Sequence, residues 1–273
     1  PAGGTYTTAQ EVTLSTATSE AYIRFTVDGT TPTSSSMLYS GGTIPVGASY
    51  TLKAIAIKSG MTTSSVSSAT YVINAPDISW QSGITYGSMT DAAGKTYKTV
   101  TIGTQNWMAE NLNFKGIGTD TLGVCLQDKV ENCKQYGRLY TWSEVMQGVS
   151  SSSTSPSNVR GICPTGWHVP SDPEWTTLGN YMDASGAASA TKLKSISGWN
   201  TNTGTDSYGF RALPGASRYT SEYDDAGASG LWWSATESDK ANGKLRLIDF
   251  HPAIVSTTGA KNSQWVSLRC VQD

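Results

Sequence analysis

All four cysteines of this chain, Cys125, Cys133, Cys163 and Cys270, fall in its C-terminal two-thirds, and this placement constrains the fold more than any other feature. No CxxC pair occurs, and two histidines are a poor supply for a cysteine–histidine zinc site. Two disulfides are the reading that fits, with three pairings open on paper. Disulfides persist in oxidising compartments, so the chain is expected to be secreted or displayed at a cell surface. At 273 residues it has room for one large domain or two ordinary ones. Charged residues make up 15% and the net charge is -2, which leaves no basic face for nucleic acid. No apolar run reaches the roughly 18 residues a membrane-spanning helix needs. The opening PAGGTYTTAQ has neither the basic nor the apolar region of a signal peptide, and reads as a processed or trimmed N-terminus.

Residues 5–73 read as short strands between turns. Ile23, Phe25 and Val27 alternate with Tyr22, Arg24 and Thr26, the period of a sheet with one wet face. Asp28-Gly29 turns the chain, and Thr51 to Ile57 and Ala69 to Ile73 supply further strands. Strands this short and regular suggest a small sandwich. Asp28 offers one oxygen to calcium, but no carboxylate cluster stands beside it, so turn formation is its expected role.

From Met89 the character changes. Thr99 to Ile102 and Asn106 to Met108 form an expected hairpin through Gly103, and Tyr136 to Met146 reads as a strand running into a short helix. Residues 147–158 are polar and of low complexity, an expected exposed loop. Ser171-Asp172-Pro173-Glu174 is a capping box: the serine accepts from the third backbone N–H and the glutamate reaches back. Trp175, Leu178 and Met182 then fall on one helical face, with Gly186 as the expected stop and a further helical piece around Leu193 and Ile196.

The stretch IRFTVDGTTPT at 23–33, with Leu38-Tyr39-Ser40-Gly41 and Leu52 to Ala56, resembles the chitobiase/β-hexosaminidase C-terminal-type, immunoglobulin-like domain. Such domains usually serve as spacers or accessory modules. The later stretches WMAENL (107–112), YGRLYTW (136–142), RGICPTGWHVPS (160–171), SYGFRALPG (207–215), WWSATE (232–237) and SLRCV (267–271) resemble the FISUMP, or Fibrobacter succinogenes major paralogous, domain of secreted bacterial proteins. That family is similar to the C-type lectin fold and to formylglycine-generating enzymes. The resemblances imply a mainly β chain with an α+β second domain. An immunoglobulin-like β-sandwich would occupy residues 1–74, a linker 75–88, and a C-type-lectin-like domain 89–273. They also imply a pairing: Cys163, ahead of the capped helix, with Cys270 on the last strand, leaving Cys125 and Cys133 to staple a small insertion. A loop of that size is worth up to about 4–5 kcal/mol in the chain-entropy model.

The oxidase chemistry of the formylglycine relatives is not implied, because the segment Asp239 to Gln264, where their redox cysteines lie, contains none. The EPN, QPD and WND motifs of calcium-dependent sugar lectins are missing too. His168, between Trp167 and Val169, reads as a packing residue. His251 beside Asp249 sketches two-thirds of a hydrolytic triad, yet no GxSxG elbow accompanies it. Asp224-Asp225 with Glu222 reads as a solvated turn rather than a glycosidase pair. The chain is therefore expected to be no enzyme and to need no cofactor or metal.

What remains is a binding surface late in the chain. If Val266, Leu268 and Cys270 face inward, alternation puts Trp265, Ser267 and Arg269 on the other face. Trp265 then fills a gap or makes contacts. Lys244, Arg246, Asp249 and His251 add mixed polar chemistry, and Tyr219, Tyr223 and Trp232 add aromatic area. The expected function is extracellular binding of a protein or glycan, as an adhesin-like display protein. Lectin-like modules are also diversified by retroelements, and the atypical Lys244 to Gln264 segment is compatible with that. The competing expectation is an accessory glycan-binding module of a polysaccharide-degrading system.

Overall fold

The computed structural model describes residues 1–6, 10–46, 50–73, 80–182, 189–200, 204–223 and 227–273. The chain forms two compact units, Pro1–Asp77 and Ile78–Asp273. Trp80, Ile84 and Tyr86, within the stretch 75–88 read as a linker, pack against the core of the second unit.

The first unit is built from β1 (Gly4–Tyr6), β2 (Gln10–Val12), β3 (Tyr22–Thr26), β4 (Met37–Tyr39), β5 (Ile44–Val46), β6 (Tyr50–Ile57) and β7 (Ser67–Ile73). One sheet has the order β1-β7-β6-β3-β4 and the other pairs β2 with β5. Val12, Ile23, Phe25, Val46, Leu52 and Tyr71 meet in the core, as the period-two alternation requires. The Asp28-Gly29 turn is held locally: Thr30 donates its N–H and its hydroxyl to Asp28 Oδ1 at 3.0 and 2.6 Å. These bonds keep the Asp28 carboxyl below its ordinary range, the behaviour of a turn-former.

The second unit contains β8 (Gly87–Thr90), β9 (Thr96–Ile102), β10 (Gln105–Met108), α1 (Val130–Tyr136), α2 (Trp142–Met146), β11 (Trp167–His168), α3 (Asp172–Met182), α4 (Ser189–Leu193), β12 (Arg218–Tyr219), β13 (Glu222–Tyr223), β14 (Gly230–Glu237), β15 (Asn242–Ile248), β16 (Val255–Ala260), β17 (Gln264–Trp265) and β18 (Val271–Gln272). The expected hairpin is β9–β10, with Ile102 opposite Gln105 and Gly103 at φ 62° in the turn. The sheet order β11-β18-β10-β9-β8 places the late strand β18 between two much earlier ones. The remaining sheets run β14-β15-β16 and β13-β12-β17.

That topology brings the cysteines together. Pairing of His168 with Val271 sets Cys163 near Cys270, and the two form a disulfide with Cα atoms 6.0 Å apart across 107 residues. Cys125–Cys133 closes the small insertion. Trp107, Trp175, Trp232 and Phe210 fill the core beside this sheet, with Trp107 and Trp175 ring centroids 4.7 Å apart. Such ring pairs add about 0.5–1.5 kcal/mol beyond their burial.

Three expectations need correction. The segment before α2 is not a strand but the end of helix α1, followed by isolated bridges from Leu139 to Val124 and from Tyr140 to Val266. Residues 147–158 are not simply an exposed loop: Ser157 is buried, its hydroxyl donates to the Val169 carbonyl at 2.6 Å, and Ser152 bonds across to Ala235 and Thr236. Ile196 is exposed, beyond the end of α4. The capping box does form, with Glu174 N–H to Ser171 Oγ at 3.3 Å and Ser171 N–H to Glu174 Oε2 at 2.9 Å. Gly186, the expected stop, lies outside the described residues.

Candidate functional site

The residues singled out from sequence separate into a structural set and a surface set. Trp232 belongs to the first. It is fully buried, and its Nε1–H donates to Asn111 Oδ1 at 2.8 Å, so it cannot meet a ligand. Arg246 is only 7% exposed. Its Nε donates to Asp172 Oδ1 at 3.0 Å, and a terminal nitrogen donates to the Asp172 carbonyl and to Thr176 Oγ1 at 2.7 and 2.8 Å. Lys244 Nζ reaches Asp172 Oδ2 at 3.4 Å and Ser256 Oγ donates to Oδ1 at 3.1 Å. Burial lowers the Arg246 pKa, and Asp172 opposes that shift. These groups clamp strand β15 to the first turn of α3.

His168 is also structural. Its Nε2 lies 2.8 Å from Glu174 Oε1 and its Nδ1 2.8 Å from Asp273 Oδ1. Burial alone would lower its pKa, but the hydrogen bonds to the two carboxylates outweigh it and the net shift is upward. The expected exposure of Ser267 and Arg269 is wrong as well: both are buried, because the strand segment runs between two packed layers rather than along a surface. Arg269 donates to Asn111 Oδ1, to the carbonyls of Met108 and Arg211, and to that of Phe210, over whose ring its Cζ sits at 4.2 Å. Burial pulls its pKa down to about 9.

The surface set forms two patches at opposite ends of β16. Beyond its N-terminal end, His251 turns back on Asp249, with N–H and Nδ1 at 2.9 and 2.8 Å from Oδ1. The Phe250 ring lies 3.9 Å from the imidazole and is 61% exposed. Among the described residues no serine hydroxyl bonds to His251, so the triad sketched from sequence is not assembled.

Beyond the C-terminal end lies the small β13-β12-β17 sheet. Arg218 stands directly across from Tyr223 on one side and Trp265 on the other. Its Cζ is 5.3 Å from the Tyr223 ring centroid and 4.8 Å from that of Trp265. Both rings lean on a core of Leu126, Tyr136, Leu139, Leu213 and Ala216. Tyr223 is fixed further by its hydroxyl, which donates to Asp128 Oδ1 at 2.7 Å; burial and that bond push its pKa up to about 12. Tyr219 alternates to the wet face of the sheet and is 55% exposed. Trp265 packs in part against this core and is otherwise half-exposed. Asp224 and Asp225 lie outside the described residues.

Two features went unnoticed in the sequence. Arg218 was one, because its meaning depends on pairing β12 with β17, strands far apart in the chain. The other is a cleft of about 350 Å³ bordered by Phe114, Ile117, Leu122, Ile162, Asp120 and Arg160. Its lining comes from residues 90–92, 114–122, 147 and 160–165, segments far apart in the chain that only the fold brings together. Among the described residues no group of three or more histidine, cysteine or acidic side chains is placed to hold a metal ion. No helix among them is long and apolar enough to cross a membrane.

Fold and surface together define a mostly β protein of two units, whose larger unit is closed end to end by a disulfide, as fits an extracellular protein. The family model described as Fibrobacter succinogenes major domain matches residues 100–272, and that described as chitobiase/beta-hexosaminidase C-terminal domain matches residues 1–68. The chain belongs to the Fibrobacter succinogenes major domain family. No significant match is found among curated proteins or among solved structures.

Proposed function

We propose that the protein is an extracellular, non-catalytic binding protein that presents a lectin-like surface on its second unit to a glycan or protein ligand. The observation that carries this reading is the Tyr223–Arg218–Trp265 stack, half-buried on a disulfide-closed platform. Aromatic and arginine side chains dominate recognition because they bring large contact area at small entropic cost. The non-catalytic part draws support from the histidines, one buried between carboxylates and one hydrogen-bonded, among the described residues, to its neighbour Asp249. A C-type-lectin-like arrangement is supported by the return of β18 between β10 and β11. The exposed Phe250–His251 turn is surface that late-chain diversification could vary without disturbing the core. A near-copy template beside the gene tests that point.

The chitobiase-type match of the first unit favours a second reading, an accessory module that docks a polysaccharide-degrading system on its substrate. A glycan array and a panel of extracellular proteins, probed with the wild type and with Trp265→Ala, test both. Ligand binding that drops in the variant at unchanged melting temperature supports the proposal, and a response confined to plant polysaccharides selects the accessory role. Wild-type binding by the variant, or turnover of a chromogenic glycoside, contradicts it.

A further inference from the structure

The small sheet that carries the stack needs packing beneath it. Its strands β12, β13 and β17 are two residues long each, so their ladders supply few bonds. The face with Arg218, Tyr223 and Trp265 rests on a core to which the insertion around Cys125–Cys133 contributes Leu126, Tyr136 and Leu139. Leu213 and Ala216, just before β12, complete that core. Tyr219, Glu222 and Gln264 alternate to the opposite face.

The disulfide of this insertion is not needed to bring its ends together. Val124 and Leu139 already do so, each donating its N–H to the other's carbonyl, at 2.8 and 2.9 Å. The staple spans a sequence separation of 8, and the gain from cross-linking an unfolded chain shrinks with the loop it closes. What it encloses is an unusual turn. Gln127 and Asp128 both sit at φ 55°, the left-handed region that costs a residue with a Cβ. The turn delivers the Asp128 carboxylate to the small sheet, where Oδ1 accepts from the Tyr223 hydroxyl at 2.7 Å. The Cys125 carbonyl lies 3.2 Å from the same hydroxyl oxygen. Tyr223 in turn flanks Arg218, which has Trp265 on its other side.

Resting on the binding reading above, we propose that the Cys125–Cys133 insertion is the positioning element of that surface, with Asp128 as its positioning residue. Locked in the left-handed turn, Asp128 sets the Tyr223 ring, and through Arg218 the Trp265 ring. The short staple serves this local geometry, while Cys163–Cys270 serves closure of the whole unit. Preorganised rings favour binding because less side-chain freedom is lost when the ligand arrives. Asp128→Asn keeps both the left-handed turn and an acceptor for the hydroxyl, whereas Asp128→Gly keeps the turn and removes the acceptor. The pair separates the hydrogen bond from the backbone.

Hydrogen–deuterium exchange of the intact chain, read by mass spectrometry, tests this with the wild type, Asp128→Asn, Asp128→Gly and the double variant Cys125→Ser/Cys133→Ser. Each is also probed on the glycan array and the panel of extracellular proteins. The expected result is exchange about tenfold or more faster over residues 218–223 and 264–266 in Asp128→Gly and in the double variant, with α3 and β18 unchanged. Asp128→Asn should exchange like the wild type. Capture on the array or panel should fall about tenfold in the same two variants and persist in Asp128→Asn. Unchanged exchange over 218–223 and 264–266 overturns the proposal, and so does acceleration that reaches α3 and β18, because the staple would then serve the whole unit. Equal effects of Asp128→Asn and Asp128→Gly overturn it too, as does full capture by a variant whose exchange is accelerated; both leave the binding reading intact. Wild-type silence on every glycan and every extracellular protein overturns the binding reading and this proposal with it.

Discussion

Arg269 Nε donates to Asn111 Oδ1 at 2.8 Å, joining the last segment of the chain to the loop that follows β10. The same carboxamide oxygen accepts from Trp232 Nε1, and its nitrogen donates to the Tyr136 carbonyl and to Ser267 Oγ. A single asparagine thus ties four distant segments around a buried cation. The residues carrying the family motifs WMAENL, WWSATE and SLRCV meet here as architecture.

Asn111→Ala removes an acceptor from two buried donors at once. Each orphaned donor costs about 1–3 kcal/mol, so the variant should lose several kcal/mol in urea unfolding with disulfides intact. A loss below about 1 kcal/mol would mean that the hub is not holding these segments.

Asp206 gives a pH dependence with a definite sign. Burial raises its pKa from 3.8 to about 6, against the opposing Arg211 N–H and the charges of Arg269 and Arg211. Between those two values the folded state binds more protons than the unfolded one, so stability falls as pH rises through the window and stays lower above it. Asp206→Asn keeps an oxygen for the Arg211 N–H, which Oδ1 accepts at 2.6 Å. Its unfolding free energy should lack this fall and match or exceed the wild type at pH 7.

His168 acts in a higher window. Its folded pKa lies above the ordinary 6.5, so its contribution is complete below that value and fades as pH rises through the folded pKa. His168→Gln should lower stability most on the acidic side of pH 6.5 and flatten the decline above it. A constant difference between variant and wild type at all pH values would contradict the assignment.

Arg246→Ala should destabilise the chain by about 2–4 kcal/mol, by leaving Asp172 partly unpaired and β15 unclamped, yet leave ligand binding unchanged where the fold persists. Equilibrium unfolding and titration of the same sample separate the two effects.

Features fixed by local chemistry were legible in the sequence: the Asp28-Gly29 turn, the β9–β10 hairpin and the Ser171–Glu174 box each depend on residues within a few positions. A second capping box was equally readable in TWSE, where Thr141 and Glu144 bond reciprocally at the start of α2. The site was less so. Alternation predicted an exposed face for Ser267 and Arg269, but alternation separates wet from dry only when one side of a strand meets water. Lys244 and Arg246 look like surface charge until α3 brings Asp172 to them. Tyr219, Tyr223 and Trp265 could be named as aromatic candidates, whereas the arginine between two of them emerges only from long-range strand pairing.

The most direct test of the whole account is a disulfide map of the native, unreduced protein by peptide mass spectrometry with alkylation of free thiols. The account predicts no alkylated cysteine and linked peptides containing Cys163 with Cys270 and Cys125 with Cys133. Alkylation of both Cys163 and Cys270 in natively purified material would contradict a covalently closed extracellular platform, and with it the binding surface built upon it.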